Sequence, residues 1–409
     1  MDYTKYVGKN VLASKLERKR KRVIKRYNYY DMKNIVRDFN ISTPPELRWW
    51  MGCLGWCAKS VDSLNNRLNV RGFRNDNFGI EEIYNLNNPD VLYKSATHGS
   101  IVSACDFIYI SQDENGYPRM QVIDGSNATG VMDPITGLLK EGYAVLERDE
   151  NDTPIIEAWF IPHQTLIYKK GSNGVQIIEH IVEYPLLVPI VYRPDAMRPF
   201  GHSRISRACM DLVDSAIRTV KRSEIAAEFF SFPQKYMIGA SGDLEIDKWS
   251  AAMSAMLTVT KDDDGEKPTL GQFSQQSMGP HLDQLEMFAS LFAGECDLTL
   301  DDMGFAKSNP SSAESIKASH EALKQTALSA QRTFGRGFVN AGFLAACLRD
   351  NVAYKRNQFY MTETRWFPIF EPDAAQMSGL GDALLKIEQA SPGIITTELL
   401  EDLTGFTLA

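Results

Sequence analysis

Two helical stretches that bracket a compact insert constrain the fold of this chain more than any other feature. From Ser203 to Glu228, Ile205, Cys209, Leu212, Val213, Ala216, Ile217 and Val220 recur at steps of three and four residues, which places them on one helical face. The run ends in Phe229, Phe230, Phe232 and Pro233. A second helix opens at Pro280, a residue suited to the first helical position, with Leu282, Leu285, Phe288, Phe292 and Cys296 along one stripe. Between them, residues 233–278 read as a small α/β unit, with strands at Gln234–Ile238, Met256–Thr260 and Thr269–Phe273 and a short helix at Ile246–Met253. The two helices should run antiparallel, with the insert at their far end. Asp214 and Arg218 are spaced for attraction on one helix face, whereas Glu224 and Glu228 repel unless another chain supplies a cation.

An acidic loop, Leu300–Pro310, follows the second helix. Ser311 and Glu314 then form a capping-box pattern that opens the longest helix of the chain, which spans ~58 Å if it continues to Arg349. Gly335, Gly337 and Gly342 are candidate kinks. A strand-like segment at Trp366–Phe370 and two short helices, Asp373–Gln389 and Thr396–Leu403, complete the chain. Upstream, Ser100–Val191 alternates apolar and polar residues between turns and reads as β-rich, with segments at Ile101–Ile110, Ile155–Ile161 and Gln176–Val182. His163 and His180 in this module suit hydrogen-bonded structural roles. Helices are expected at Ser14–Tyr30 and at Glu46–Asn66, the latter with Trp49, Trp50, Leu54, Cys57, Val61 and Leu64 on one side. The whole pattern is α+β.

Composition narrows the function. The 409 residues, 44% of them hydrophobic, can bury a substantial core. Six cysteines lack the spacing of a disulfide framework or zinc ribbon, and no signal-peptide pattern precedes them, which suits synthesis in a reducing cytoplasm. The longest apolar stretch, Ile181–Val191, is interrupted by Glu183, Pro185 and Pro189, so no membrane partner is expected. A net charge of −8 argues against a protein that grips nucleic acid over its whole surface. Charge is nonetheless uneven: Lys15–Arg26 holds eight basic residues and one acidic, while Glu295, Asp297, Asp301 and Asp302 form an acidic run. For the basic stretch, a solvated helix in a subunit surface and a direct phosphate contact are both open.

No phosphate loop, dinucleotide fingerprint, zinc-protease motif or nucleophile elbow is present, and six scattered histidines are poor material for acid–base chemistry. Cys53 and Cys57 have no further ligand nearby and suit core packing rather than metal. Asp262, Asp263 and Asp264 lack the alternating spacing of a calcium loop and read as a solvated tip. Asp301 with Asp302 is the one pair to test as a two-metal nuclease site, although adjacent residues diverge and such a site needs further acids. No cofactor is expected.

Several segments resemble, in order, those of bacteriophage portal proteins, the head–tail connectors of long-tailed double-stranded DNA phages. They are Arg198-Pro-Phe-Gly-His-Ser-Arg-Ile-Ser-Arg207, Glu224-Ile-Ala-Ala-Glu-Phe-Phe230, Phe232-Pro-Gln-Lys-Tyr-Met-Ile-Gly239, Gly271-Gln-Phe273, Phe292-Ala-Gly-Glu295 and Asn309-Pro-Ser-Ser-Ala-Glu-Ser-Ile316. The resemblance is concentrated between about residues 195 and 350.

It implies a non-enzymatic dodecameric ring at one capsid vertex, made in the host bacterial cytoplasm, through which double-stranded DNA is packaged and ejected. The implied fold has a mixed α/β wing (1–200), a stem helix (201–232), a small α/β clip (233–279), a second stem helix (280–299), a tunnel loop (300–310), a long helix completing the wing (311–370) and a short helical crown (371–409). Asp301, Asp302, Met303, Gly304, Phe305, Lys307 and Asn309 would approach DNA, with Lys307 as the phosphate contact; alternatively Asp301 and Asp302 pair with cations of a neighbouring subunit. Arg218, Lys221, Arg222, Glu224 and Glu228 would belong to the stem. Trp249, Lys261, Asp262, Asp263, Asp264, Glu266 and Lys267 would face the terminase large subunit and later a head–tail adaptor; the major capsid and scaffolding proteins are further implied partners. Another ring-forming connector or tail component, or a metal-dependent DNA-processing enzyme, are the competing readings.

Overall fold

A computed structural model describes residues 3–37, 45, 49–50, 52–172, 174–231, 235–238, 269–272, 277–305, 318–370, 374–404 and 406. Helix α1, Lys9–Tyr30, starts earlier than the charge pattern suggests because its N-terminus is anchored from outside. The buried Glu141 accepts hydrogen bonds from the Val7 and Gly8 amides, each at 2.8 Å, and from Trp159 Nε1 at 2.8 Å. A carboxylate thus satisfies the donors where the helix dipole is positive. Leu12 and Leu16 on α1 pack against Tyr143, Val145, Trp159, Ile161 and Leu166.

Those partners belong to a five-stranded antiparallel sheet in the order β4 (Ala128–Met132), β5 (Leu139–Arg148), β6 (Pro154–Ile161), β7 (Gln164–Lys169) and β8 (Val175–Glu179). Beside it, β3 (Pro118–Ile123), β2 (Cys105–Gln112) and β9 (Leu187–Val191) form a three-stranded antiparallel sheet. The expected strand from Ile101 begins later, because residues through Ser103 complete helix α4, Pro89–Ser103, which ends at Ala104 with φ 91°. Helix α2 is also shorter than expected and spans Trp56–Asn65. Residues 52–54 precede it without helical structure, Trp49 is exposed, and Glu46–Arg48 lie outside the described residues. Cys57, Val61 and Leu64 are fully buried, and Cys57 is packed in the core.

The main core forms around α7, Glu321–Asp350, a 30-residue helix of ~45 Å. Helical residues 318–319 and a break at His320 precede it, and the predicted start at Ser311 lies outside the described residues, as do all of residues 306–317. Its glycines do not interrupt it; they admit neighbours. A Cβ on Gly342 would fall 2.3 Å from Ile80 Cγ2 of α3 (Ile80–Asn85), and one on Gly337 would fall 2.8 Å from Ile190 Cδ1 of β9. Strand β12, Glu363–Trp366, pairs antiparallel with β1, Val70–Arg74, so the C-terminal third closes onto the N-terminal third. This strand ends where the sequence suggested that one begins.

Two short helices follow, α8 (Ala374–Ala390) and α9 (Thr397–Thr404), as the sequence predicts. The second docks on β1 and β12. Arg365 Nη2 lies 3.0 Å from Glu401 and 2.8 Å from Asp402, and Arg74 Nη2 lies 2.5 Å from Asp402. Among the described residues, no helix is long and apolar enough to cross a membrane.

Candidate functional site

The bracketing helices are α5, Arg207–Ser231, and α6, Gly279–Glu295. Two contacts define their relative direction. Near the start of α5, Cys209 Sγ lies 3.5 Å from Cys296 Sγ just past the end of α6, and ten residues on, Thr219 Oγ1 donates to Gln284 Oε1 at 3.1 Å. One helix advances as the other retreats, so the pair is antiparallel. Past it, β10 (Lys235–Ile238) pairs antiparallel with β11 (Thr269–Gln272), as expected for the insert. The other predicted elements of the insert lie outside the described residues, as do Trp249, Lys261, Asp262, Asp263, Asp264, Glu266 and Lys267.

On α5, Lys221 and Ile225 are buried, Arg218 and Arg222 half-buried, and Glu224 and Glu228 exposed. The two glutamates occupy the end of α5 toward the hairpin, four residues apart with both side chains in solvent. Arg218 Nη2 donates to Ser215 Oγ at 2.9 Å, while Asp214 accepts from Tyr29 Oη at 2.9 Å and from Asn34 Nδ2 at 3.2 Å. Asp214 therefore ties α5 to α1, a use the spacing on one helix face could not reveal.

At the other end of the pair, Arg204 is the joint. Its side chain is 2% exposed. Nε donates to Ser60 O of α2 at 2.8 Å, one Nη donates to the Cys296 carbonyl at the end of α6, and Nη1 lies 3.4 Å from Tyr192 Oη. Asp297 lies 3.8 Å from the guanidinium and accepts from Thr326 Oγ1 of α7 at 2.8 Å. A single planar cation thus satisfies carbonyls of two helices, which its fork of donors allows. Sequence reasoning missed it as a site residue because its partners, Ser60 and Cys296, are distant in the chain. The hydrogen bond between the nearby thiols holds Cys209 below the usual thiol range and pushes Cys296 above it.

The loop after α6 starts with Asp297 at φ 52° and turns again at Gly304, φ 89°. Between these turns the predicted DNA-facing residues separate. Asp301 and Gly304 are exposed. Asp302 is half-buried and its Oδ2 accepts from the Thr299 amide at 3.0 Å and hydroxyl at 2.9 Å, with His320 Nδ1 at 3.7 Å. Met303 is buried, and Phe305 packs against the core. Of the pair considered for metal, one carboxylate is held inside its own loop and the other points to solvent. Among the described residues, no group of three or more potential ligands could hold a metal ion. Lys307 and Asn309 lie outside the described residues.

Of the two histidines of the β-rich module, His180 departs at its ring from the expected hydrogen-bonded role. Their main chains are bonded, His163 N to Val182 O at 3.0 Å and His180 N to His163 O at 2.9 Å. Neither ring nitrogen of His180 has a hydrogen-bond partner among the described residues, and burial together with His163 lowers its pKa to about 4.

The sequence profile of a family described as phage portal protein, SPP1 Gp6-like, matches residues 10–360. The portal protein of Mycobacterium phage L5 is 22% identical over 394 residues, covering 91% of this chain and 79% of that protein. That of Mycobacterium phage D29 is 21% identical over 427 residues, covering 98% and 86%. Among solved structures, a chain from the neck of an empty gene transfer agent particle, computed with C6 symmetry, aligns with a TM-score of 0.48 at 12% identity. That alignment covers 90% of this chain and 96% of the other.

Proposed function

The chain belongs to the SPP1 Gp6-like family of phage portal proteins, and from that premise we propose that it assembles as a dodecameric ring at one capsid vertex and conducts double-stranded DNA in packaging and ejection. The observation that carries this reading is the family match across residues 10–360. Membership makes the protein a structural component of the virion and not an enzyme.

In this reading α5 and α6 form the stem, the unit between them the clip, residues 300–310 the tunnel loop, residues 1–200 with 311–370 the wing, and residues 371–409 the crown. The antiparallel helix pair capped by the β10–β11 hairpin supports the stem and clip assignments. The clip would then receive the terminase large subunit and later the head–tail adaptor, and the wing and crown would meet capsid and scaffolding proteins. ATP hydrolysis would belong to the motor, consistent with a chain that carries no nucleotide-binding motif.

Charge in the loop fits a conduit. A duplex that slides cannot be held by many cations at once, because each neutralised phosphate adds affinity at every step. Exposed Asp301 and Gly304 present little to hold it, while the inward-turned Met303 and Phe305 anchor the loop to the core. Lys307 is then the one phosphate contact per subunit in this stretch.

Lys307→Glu tests the assignment. Rings should form as in wild type while DNA packaging in a motor-driven assay falls. Failure of the variant to form rings, or packaging at the wild-type rate, contradicts it.

A further inference from the structure

Helix α7 and strand β12 leave a groove between them. Its volume is about 450 Å³, inside the roughly 300–1,000 Å³ range of ligand pockets. The helix supplies one wall with Leu328, Gln331, Gly335 and Val339, which recur at steps of three and four residues and so share a face. From Leu328 to Val339 this wall runs ~16 Å, room for about five residues of extended chain. Thr364 and Trp366 of β12 line the other wall. Gly335 sets the spacing: its carbonyl accepts from Thr364 Oγ1 at 3.0 Å, and a Cβ there would fall 3.2 Å from Thr364 Cβ.

The groove lacks what an occupant would bring. Gln331 is 8% exposed, and its Nε2 has no hydrogen-bond partner among the described residues. A buried amide donor left unmade is costly, and an acceptor in the groove would satisfy it. Strand β12 pairs with β1 alone among the described strands, so its other edge is unpaired. Phe367 N donates to Asn69 O at 2.9 Å, and main-chain direction alternates along a strand, so Thr364 and Trp366 turn their N–H and C=O groups away from β1. Such an edge is a template for another extended segment.

Charge selects the kind of segment. Arg332 and Arg336, one turn apart on α7 and both exposed, line the groove, and Glu363 is the one carboxylate that does. Two cations against one carboxylate leave one positive charge. Arg356 adds to the field beside Arg336: burial and then repulsion by Arg336 lower its pKa. An extended peptide offers N–H and C=O groups to the strand edge, and an acidic side chain on it offers oxygens to the guanidinium forks. A nucleic-acid backbone has no N–H donors in strand register, and a phosphate at every step would meet Glu363 with like charge.

We propose that the groove between α7 and β12 binds an extended acidic segment of a partner protein, which adds as a strand to β12 and sets a carboxylate between Arg332 and Arg336. A main-chain carbonyl of the segment accepts from Gln331 Nε2. The site is built by one chain and stands independently of the ring and channel assignments.

Fluorescence anisotropy of the full-length protein with a short fluorescein-labelled peptide of alternating glutamate and valine tests the site. Saturable binding at one peptide per chain should weaken at least about tenfold in Arg332→Gln/Arg336→Gln, as charge-assisted bonds are lost. Both side chains are exposed, so thermal unfolding of the variant should match wild type. The control Arg18→Gln/Lys21→Gln, exposed on α1, should bind the peptide as wild type does. Methylation of the peptide's amide nitrogens removes its donors to β12 and should abolish binding. Absence of saturable binding, equal loss in the control, or unchanged binding of the methylated peptide would overturn the proposal. So would equal binding of a lysine–valine peptide, or a thymidine oligonucleotide that binds more tightly than the peptide through the same arginines.

Discussion

Arg204→Met replaces the cation that joins α2, α6 and the loop after α6 with an apolar side chain of similar length. Two charge-assisted bonds are lost, to Ser60 O at 2.8 Å and to the Cys296 carbonyl, each worth roughly 1.5–3 kcal/mol, and both carbonyls are left without that donor. Asp297 adds little, because it is 3.8 Å away, 31% exposed, and retains Thr326. The variant also removes the desolvation cost of a buried guanidinium, which offsets part of the loss. The net destabilisation is about 3–4 kcal/mol. At roughly 2.1 cal/mol/K per residue, a cooperative unit of 409 residues loses ~4–5 °C in melting temperature. Arg204→Lys should not restore it, since one ammonium cannot reproduce the planar fork that reaches both carbonyls. Differential scanning calorimetry of the purified variants reads the shift. A melting temperature for Arg204→Met within 1 °C of wild type, on the order of 1 kcal/mol for a chain of this size, or full rescue by lysine, would refute the assignment of Arg204 as the joint.

Gly342→Ala places a Cβ 2.3 Å from the fully buried Ile80 and should cost ~1–3 kcal/mol in chemical denaturation, whereas Gly294→Ala, with open space around it on α6, should stabilise by ~0.5–1 kcal/mol. Equal effects would contradict the close approach of α3 to α7. The His180 pKa is lowered to about 4 in the folded protein, so the unfolded chain binds the additional proton between about pH 6.5 and 4, and stability should fall as pH drops through that window. His180→Gln should flatten this slope by ~1–2 kcal/mol after solvent screening of the partly exposed ring, read from melts across pH 4–7; an unchanged slope assigns it to other groups. Cys209 and Cys296, 3.5 Å apart and both buried, should be joined by a mild oxidant into an intramolecular disulfide identifiable by peptide mass spectrometry. Crosslinks only to other cysteines would contradict the register of α5 against α6.

The helical frame was legible because its signals are local. Apolar residues on one stripe predicted α5 and α6, the aromatic cluster before Pro233 announced the change of structure, and turn-rich spacing revealed the β-module. What escaped depends on distant partners. Strand β1 pairs with β12 nearly 300 residues away, and no local pattern at Val70 signals Trp366. Met303 and Phe305 were read as channel-facing with the rest of their acidic loop, but the turns at Asp297 and Gly304 direct them inward. Charge is equally silent about partners: a solvated surface and a phosphate contact were the two readings of the stretch that holds Lys19, yet Lys19, like Arg204, donates to main-chain carbonyls supplied by other elements. The glycines of α7 suggested kinks because flexibility is their local property; close packing against Ile80 and Ile190 is their use.

The assembly state of the purified protein tests the central claim most directly. Cryo-electron microscopy of single particles, with mass from light scattering, should show a ring of twelve chains around an open axial hole, with Asp301 and Gly304 on the channel wall. A compact monomer that persists at every salt concentration and protein concentration tried, or a closed oligomer without an axial opening, would contradict it.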